Sequence, residues 1–324
     1  MVALTHPSFI PFFKINIEIR KSFILGVSTL IFAGYLAFFN LDNDTNIYKA
    51  IVIIIGYIFF IINFDVLVKK YTYSIRFITV LISLYNEYIF YSMSIIGFLI
   101  FIYIIYKYKW NLYGIIVAVF LSLLIFPHTT NNFQSDPLFE HSLIDKTDRQ
   151  DLFYHSTIAS NYKINNFCTT ALHGAPKFKY WDLTNILSSK LSIILNIRCI
   201  DIYNYILPIL LWLILLKCFL DLALTLQNKL HPGSELNLEI FFIILSIITT
   251  TLCFQAYIGP FQNYLRWEAP KVLSVPLGSI LLSYFILINS ELFNIKKYIV
   301  RDILIMLFSS LLIYLIINTK LYLI

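Results

Sequence analysis

The chain has 324 residues, 59% of them apolar and 13% charged, with a formal charge of +6 and a mean hydropathy of +0.78. That balance is foreign to a soluble globular domain and fits an all-α, polytopic integral membrane protein. No basic run is dense enough to point to nucleic acid, so the surplus lysine and arginine reads as topology signal on cytoplasmic loops.

In chain order, Lys14, Arg20 and Lys21 precede an apolar run from Ser22 to Phe39. It imitates a signal peptide but lacks a small-x-small cleavage site, so an uncleaved first membrane helix is expected. Runs long enough to cross about 30 Å of hydrocarbon follow near 50–68, 88–106, 111–127, 203–224, 240–258, 272–289 and 303–319. The stretch 71–87 has only a short apolar part. Basic residues gather at 14–21, at Lys69, Lys70 and Arg76, at Lys107 and Lys109, and at Lys296, Lys297 and Arg301. All four groups lie on the cytoplasmic side only if 71–87 also crosses and turns outside at Asn86 and Glu87. The expectation is about nine transmembrane helices with one large external loop. Residues 1–126 form the N-terminal helices, 127–200 the external loop and 201–324 the C-terminal helices of one membrane unit.

Between Pro127 and Asp182 lie four of the six histidines and six of the eighteen acids. Pro137, Gly174 and Pro176 punctuate this stretch, which suits short helices joined by turns. Thr147 followed by Gln150 has the form of a capping box and starts a helix at Asp148. On it Asp148, Asp151 and His155 share a face, because residues three and four apart are neighbours. A carboxylate in the first turn is favoured by the helix dipole and stays ionised, as a base needs. The ordinary alternative is that the acids cap the helix and His155 bonds the loop. Asp136 and His141, with Glu140, are candidates for a divalent cation (Mg or Mn), although no HExxH or other standard spacing is present. The segment 183–197 is expected to be an amphipathic helix at the outer interface.

Farther along, Lys217 and Asp221 stand four apart, as do Asp65 and Lys69, so each pair can neutralise itself within its own helix. Cys168, Cys199, Cys218 and Cys253 form no CxxC pair, which leaves zinc and redox motifs unsupported. Arg266, beside Trp267 and Glu268 in "NYLRWEAPK", is a candidate phosphate ligand, because guanidinium matches phosphate oxygens bidentately. Interface anchoring is its other reading.

The segments "DLFYHSTIASNYKINNF" and "HGAPKFKYWDLTNILSSKLSIILNI" resemble the external loop of GT-C-type polytopic membrane glycosyltransferases. There an acid is followed by a histidine, a helix of small residues and a G-x-P-x-x-x-Y segment. The resemblance covers 148 to about 210. It implies an inverting transferase using a lipid-linked sugar donor, a polyprenyl phosphate carrier, with a glycan or lipid acceptor of the cell envelope. Asp151 would be the general base or help hold a divalent cation, with His155 as its following histidine. Gly174, Pro176 and Tyr180 would form the substrate-binding turn. Two features depart from the pattern: about five helices precede this loop, and Trp181 stands where a histidine is often found. The implied location is a bacterial inner membrane with the loop outside. Three alternatives stay open: an O-antigen-polymerase-like enzyme, a transporter or flippase, and a noncatalytic assembly subunit.

Overall fold

The computed structural model describes residues 45–68, 70–107, 150–167, 183–230 and 269–319, and these are helical without strands. The expected spans near 22–41, 111–127 and 240–258 lie outside them. In chain order the helices are α1 (Thr45–Ile62), α2 (Phe64–Leu67), α3 (Thr72–Ser83), α4 (Glu87–Lys107), α5 (Gln150–Asn165), α6 (Leu183–Leu195) and α7 (Cys199–Asp201). A π-helical turn (Ile202–Ile206) then runs into α8 (Leu207–Leu230), followed by α9 (Ala269–Leu292) and α10 (Tyr298–Ile317).

α1 and α4 pack most intimately, and glycine is the reason. A Cβ at Gly97 would fall 1.9 Å from the Gly56 carbonyl oxygen, and one at Gly56 would fall 2.5 Å from that of Ser94. Small residues let two backbones approach this closely. The Ser94 hydroxyl donates to the Ile53 carbonyl at 2.6 Å across the crossing, and Tyr57 stacks on Phe90 at 4.1 Å.

Asn63 interrupts the first helix, and Tyr71 adopts a left-handed φ of 55°, a conformation disfavoured for a bulky side chain. α3 therefore starts late and has 12 residues, about 18 Å at 1.5 Å per residue. That is less than the roughly 30 Å hydrocarbon width, and the chain turns at residues 84–86, where the sequence places the turn, into α4. The first amides of α3 are satisfied by Glu291 near the end of α9. The Tyr73 and Ser74 amides donate to that carboxylate at 3.3 and 3.0 Å, and the Ser74 hydroxyl at 2.8 Å. A carboxylate at a helix N-terminus is favoured by unpaired N–H groups and the dipole.

These contacts sort helix ends to two ends of the bundle. At one end the turn between α3 and α4 meets α6, where the Tyr91 hydroxyl donates to the Ile194 carbonyl. At that end too the Leu183 amide donates to the Asn318 carbonyl just after α10. The opposite end gathers the starts of α3 and α10 and the end of α9, with Lys70, Lys296 and Lys297 exposed there.

Polarity runs inside out. Arg76, Lys217, Asp221 and Ser83 are buried, while Ile78, Ile82, Ile95, Leu99 and Ile102 are exposed. α10 is the one helix among the described residues long and apolar enough to cross a membrane, and Leu312 is its one buried apolar residue.

Candidate functional site

The expected helix is present as α5 from Gln150 to Asn165, its expected start at Asp148 lying outside the described residues. His155, Ser156, Ile158 and Ala159 are buried, the stripe that 3.6-residue periodicity turns to one side. The His155 ring lies parallel to that of Tyr203, with centroids 6.0 Å apart and planes 6° from parallel. Tyr154 meets His155 edge-on at 5.4 Å. Tyr203 comes from the π-helical turn, a local widening that often re-aims a side chain at a functional site. The backbone carries Asp151 one turn before His155.

α6 packs along α5 with an unusual face. Thr184, Asn185, Ser188, Ser189 and Ser192 are buried, while Ile193 is exposed. The helix expected here forms, and its small polar face turns inward against neighbouring helices, where hydroxyls and amides can bond across the packing. The Ser188 hydroxyl donates to the Cys199 carbonyl at 3.3 Å, and Lys163 of α5 donates to the Ser192 hydroxyl at 3.3 Å. The Asn185 side-chain amide and the Ser189 hydroxyl are fully buried and have no hydrogen-bond partner among the described residues. Leaving such groups unsatisfied costs about 1–3 kcal/mol each, which is the kind of cost tolerated where a ligand or water completes the set.

A second polar cluster lies deeper. Lys217 donates to Asp221 and to Asp65, each at 2.7 Å. Arg76 donates to Asp221 at 2.7 Å and stands 3.6 Å from Asp65. Its guanidinium sits 5.4 Å from the ring centres of both Tyr73 and Tyr284. Two acids and two bases close on themselves with no net charge. The Lys217–Asp221 pair was legible, and Asp65 also meets Lys217 and Arg76; the expected Asp65–Lys69 pair lies outside the described residues. Arg76, taken from the sequence as a cytoplasmic topology residue, is fully buried. A signal for it existed: Asp65, Asp221 and Lys217 leave one negative charge unbalanced in apolar segments, and Arg76 is a nearby cation.

Of the remaining sequence candidates, Asp148, Asp136, His141, Gly174, Pro176, Tyr180, Arg266 and Glu268 lie outside the described residues. Among the described residues no three His, Cys, Asp or Glu side chains gather as a metal site requires. No protein-family model, curated protein or solved structure matches the chain.

Proposed function

We propose that the chain is a polytopic membrane protein that transfers sugar from a polyprenyl-phosphate carrier to an envelope glycan or lipid acceptor on the outer face of a bacterial inner membrane. Membrane placement is supported by the inside-out polarity, since isoleucine-rich faces of α3, α4 and α10 would otherwise meet water. The two ends of the bundle agree with the alternation expected from lysine and arginine, with Lys70, Lys296 and Lys297 inside and α5 and α6 outside. This alternation needs the turn between α3 and α4, at Asn86 and Glu87, to reach the outer surface.

The transferase reading rests on one arrangement: a helix at the expected outer end that carries Asp151 one turn from a buried histidine and packs on a face of unsatisfied neutral polar groups. In this reading the Asp151 carboxylate takes the proton of the acceptor hydroxyl as its oxygen attacks the anomeric carbon. The bond from that carbon to the carrier phosphate breaks, and the electron pair leaves with the phosphate. Asn185 and Ser189 suit sugar hydroxyls, which both donate and accept. His155, on the packed face, orients the helix through Tyr203 as a positioning residue. Arg266 remains the candidate partner of the leaving phosphate. Asp136 and His141 remain the candidates for a divalent cation, and no step is routed through one.

The test compares envelope glycans and polyprenyl-linked sugars from cells carrying wild-type protein, Asp151→Asn protein at equal abundance, and none. Loss of a glycan with build-up of a lipid-linked sugar in both the variant and the null strain supports the reading. A variant that matches wild type while the null strain is defective removes Asp151 from the chemistry. Transport has one observation in its favour, the broken helix at Asn63 to Tyr71 beside buried charges, but those charges neutralise one another.

A further inference from the structure

The turn between α3 and α4 and the outward edge of α6 enclose an open groove of about 410 Å³, with Tyr85, Glu87 and Tyr88 on one side and Lys190, Ile193 and Ile194 on the other. Tyr85 and Tyr88 are about three-quarters exposed, at 76% and 75%. The Lys190 ammonium lies 5.0 Å over the Tyr85 ring, and Glu87 sits in the first turn of α4. Both charges line one groove, yet among the described residues neither forms an ion pair, with the other or elsewhere. An apolar wall, two interfacial tyrosines and two unneutralised opposite charges thus share one opening at the end of the bundle assigned to the outer membrane surface.

We propose that this groove seats the headgroup of a membrane phospholipid bearing both a phosphate and a primary ammonium, the chemistry of phosphatidylethanolamine. The phosphate meets Lys190, the ammonium meets Glu87, and the upper acyl methylenes run along Ile193 and Ile194. Charge complementarity selects this occupant. A purely anionic headgroup satisfies Lys190 but is repelled by Glu87. A choline headgroup has no N–H to donate to Glu87, and the Tyr85 face that would hold it by cation–π attraction is already covered by Lys190. The inference rests on the membrane placement proposed above and not on the transfer chemistry.

The test is native mass spectrometry of the full chain in detergent, titrated separately with short-chain phosphatidylethanolamine, phosphatidylglycerol and phosphatidylcholine. Phosphatidylethanolamine is expected to be retained about fivefold more than the other two, the scale of one partly exposed charge pair. Glu87→Gln should erase the margin over phosphatidylglycerol while Lys190→Gln weakens all three, and the exchanged pair Glu87→Lys with Lys190→Glu should restore the margin. Circular dichroism matching wild type shows that each variant is folded. Equal retention of the three lipids by the wild type, or a margin untouched by Glu87→Gln, overturns the proposal. So does displacement of the lipid by soluble oligosaccharide, which makes the groove an acceptor site. Recovery of the chain in the soluble fraction overturns this proposal and the membrane placement together. A lipid margin in a chain whose loss leaves envelope glycans unchanged overturns only the transferase reading.

Discussion

Arg76 and Asp221 are both buried, at 0% and 2% exposure, and each depends on the other's charge. Removing one partner by Arg76→Met or Asp221→Asn leaves an uncompensated charge in an apolar interior and should cost about 3–5 kcal/mol. Exchanging all four charged residues for apolar ones of similar volume should cost far less, because desolvation is then removed along with attraction. Thermal unfolding in detergent, followed by size-exclusion fluorescence, ranks these variants. Asn185 predicts the opposite sign. Its amide is buried without a partner among the described residues, so Asn185→Leu should raise the stability of the unliganded chain by about 1 kcal/mol while lowering sugar transfer. A site that gives up stability for recognition behaves this way, and a destabilised Asn185→Leu variant would show that the amide supports only the fold. At this scale the sequence disclosed the Lys217–Asp221 pair through its spacing. It hid Arg76, whose neighbours Lys69 and Lys70 share its sign but not its depth.

Elements were more legible than their orientations. Apolar length alone located helices at α1, α4, α8, α9 and α10, and the capping pattern located α5, because helix formation follows local composition. α6 was located as well, but its facing was not. Serine and asparagine read as a water-facing surface, and here they form the packed face instead, an arrangement that the proposed membrane placement would favour. The crossing of α1 and α4 was equally hidden, since Gly56 and Gly97 are single glycines in different segments with no motif spacing between them. Its consequence is sharp. Gly97→Ala places a methyl 1.9 Å from the Gly56 carbonyl and 2.7 Å from the Phe60 amide nitrogen, and backbone cannot yield as a side-chain tip can. The cost should reach about 1–3 kcal/mol, read as a lowered unfolding midpoint. Gly97→Ser should do no better, because the clash is at Cβ.

For the whole molecule, the question is which end of the bundle faces out, and long-range contacts constrain it more tightly than any single helix. The bond from Leu183 to Asn318 ties the start of α6 to the end of α10, while Glu291 ties the end of α9 to the start of α3. In the proposed membrane placement one orientation then applies to all of these ends together, and the lysines at 70, 296 and 297 are expected on the inner side. Single cysteines at Asn86, Asn165 and Lys296, all exposed, are introduced into a background without the native four cysteines. In intact cells an impermeant maleimide should label the first two and spare the third, which should react only after permeabilisation. The reversed pattern would turn the bundle over, placing Asp151 and its helix on the cytoplasmic side and leaving a nucleotide-activated donor in place of a carrier-linked one. Labelling of all three before permeabilisation would mean that no membrane separates the two ends. In that case the buried charge cluster would be an ordinary core ion network, and the apolar faces of α3, α4 and α10 would need another protein to cover them.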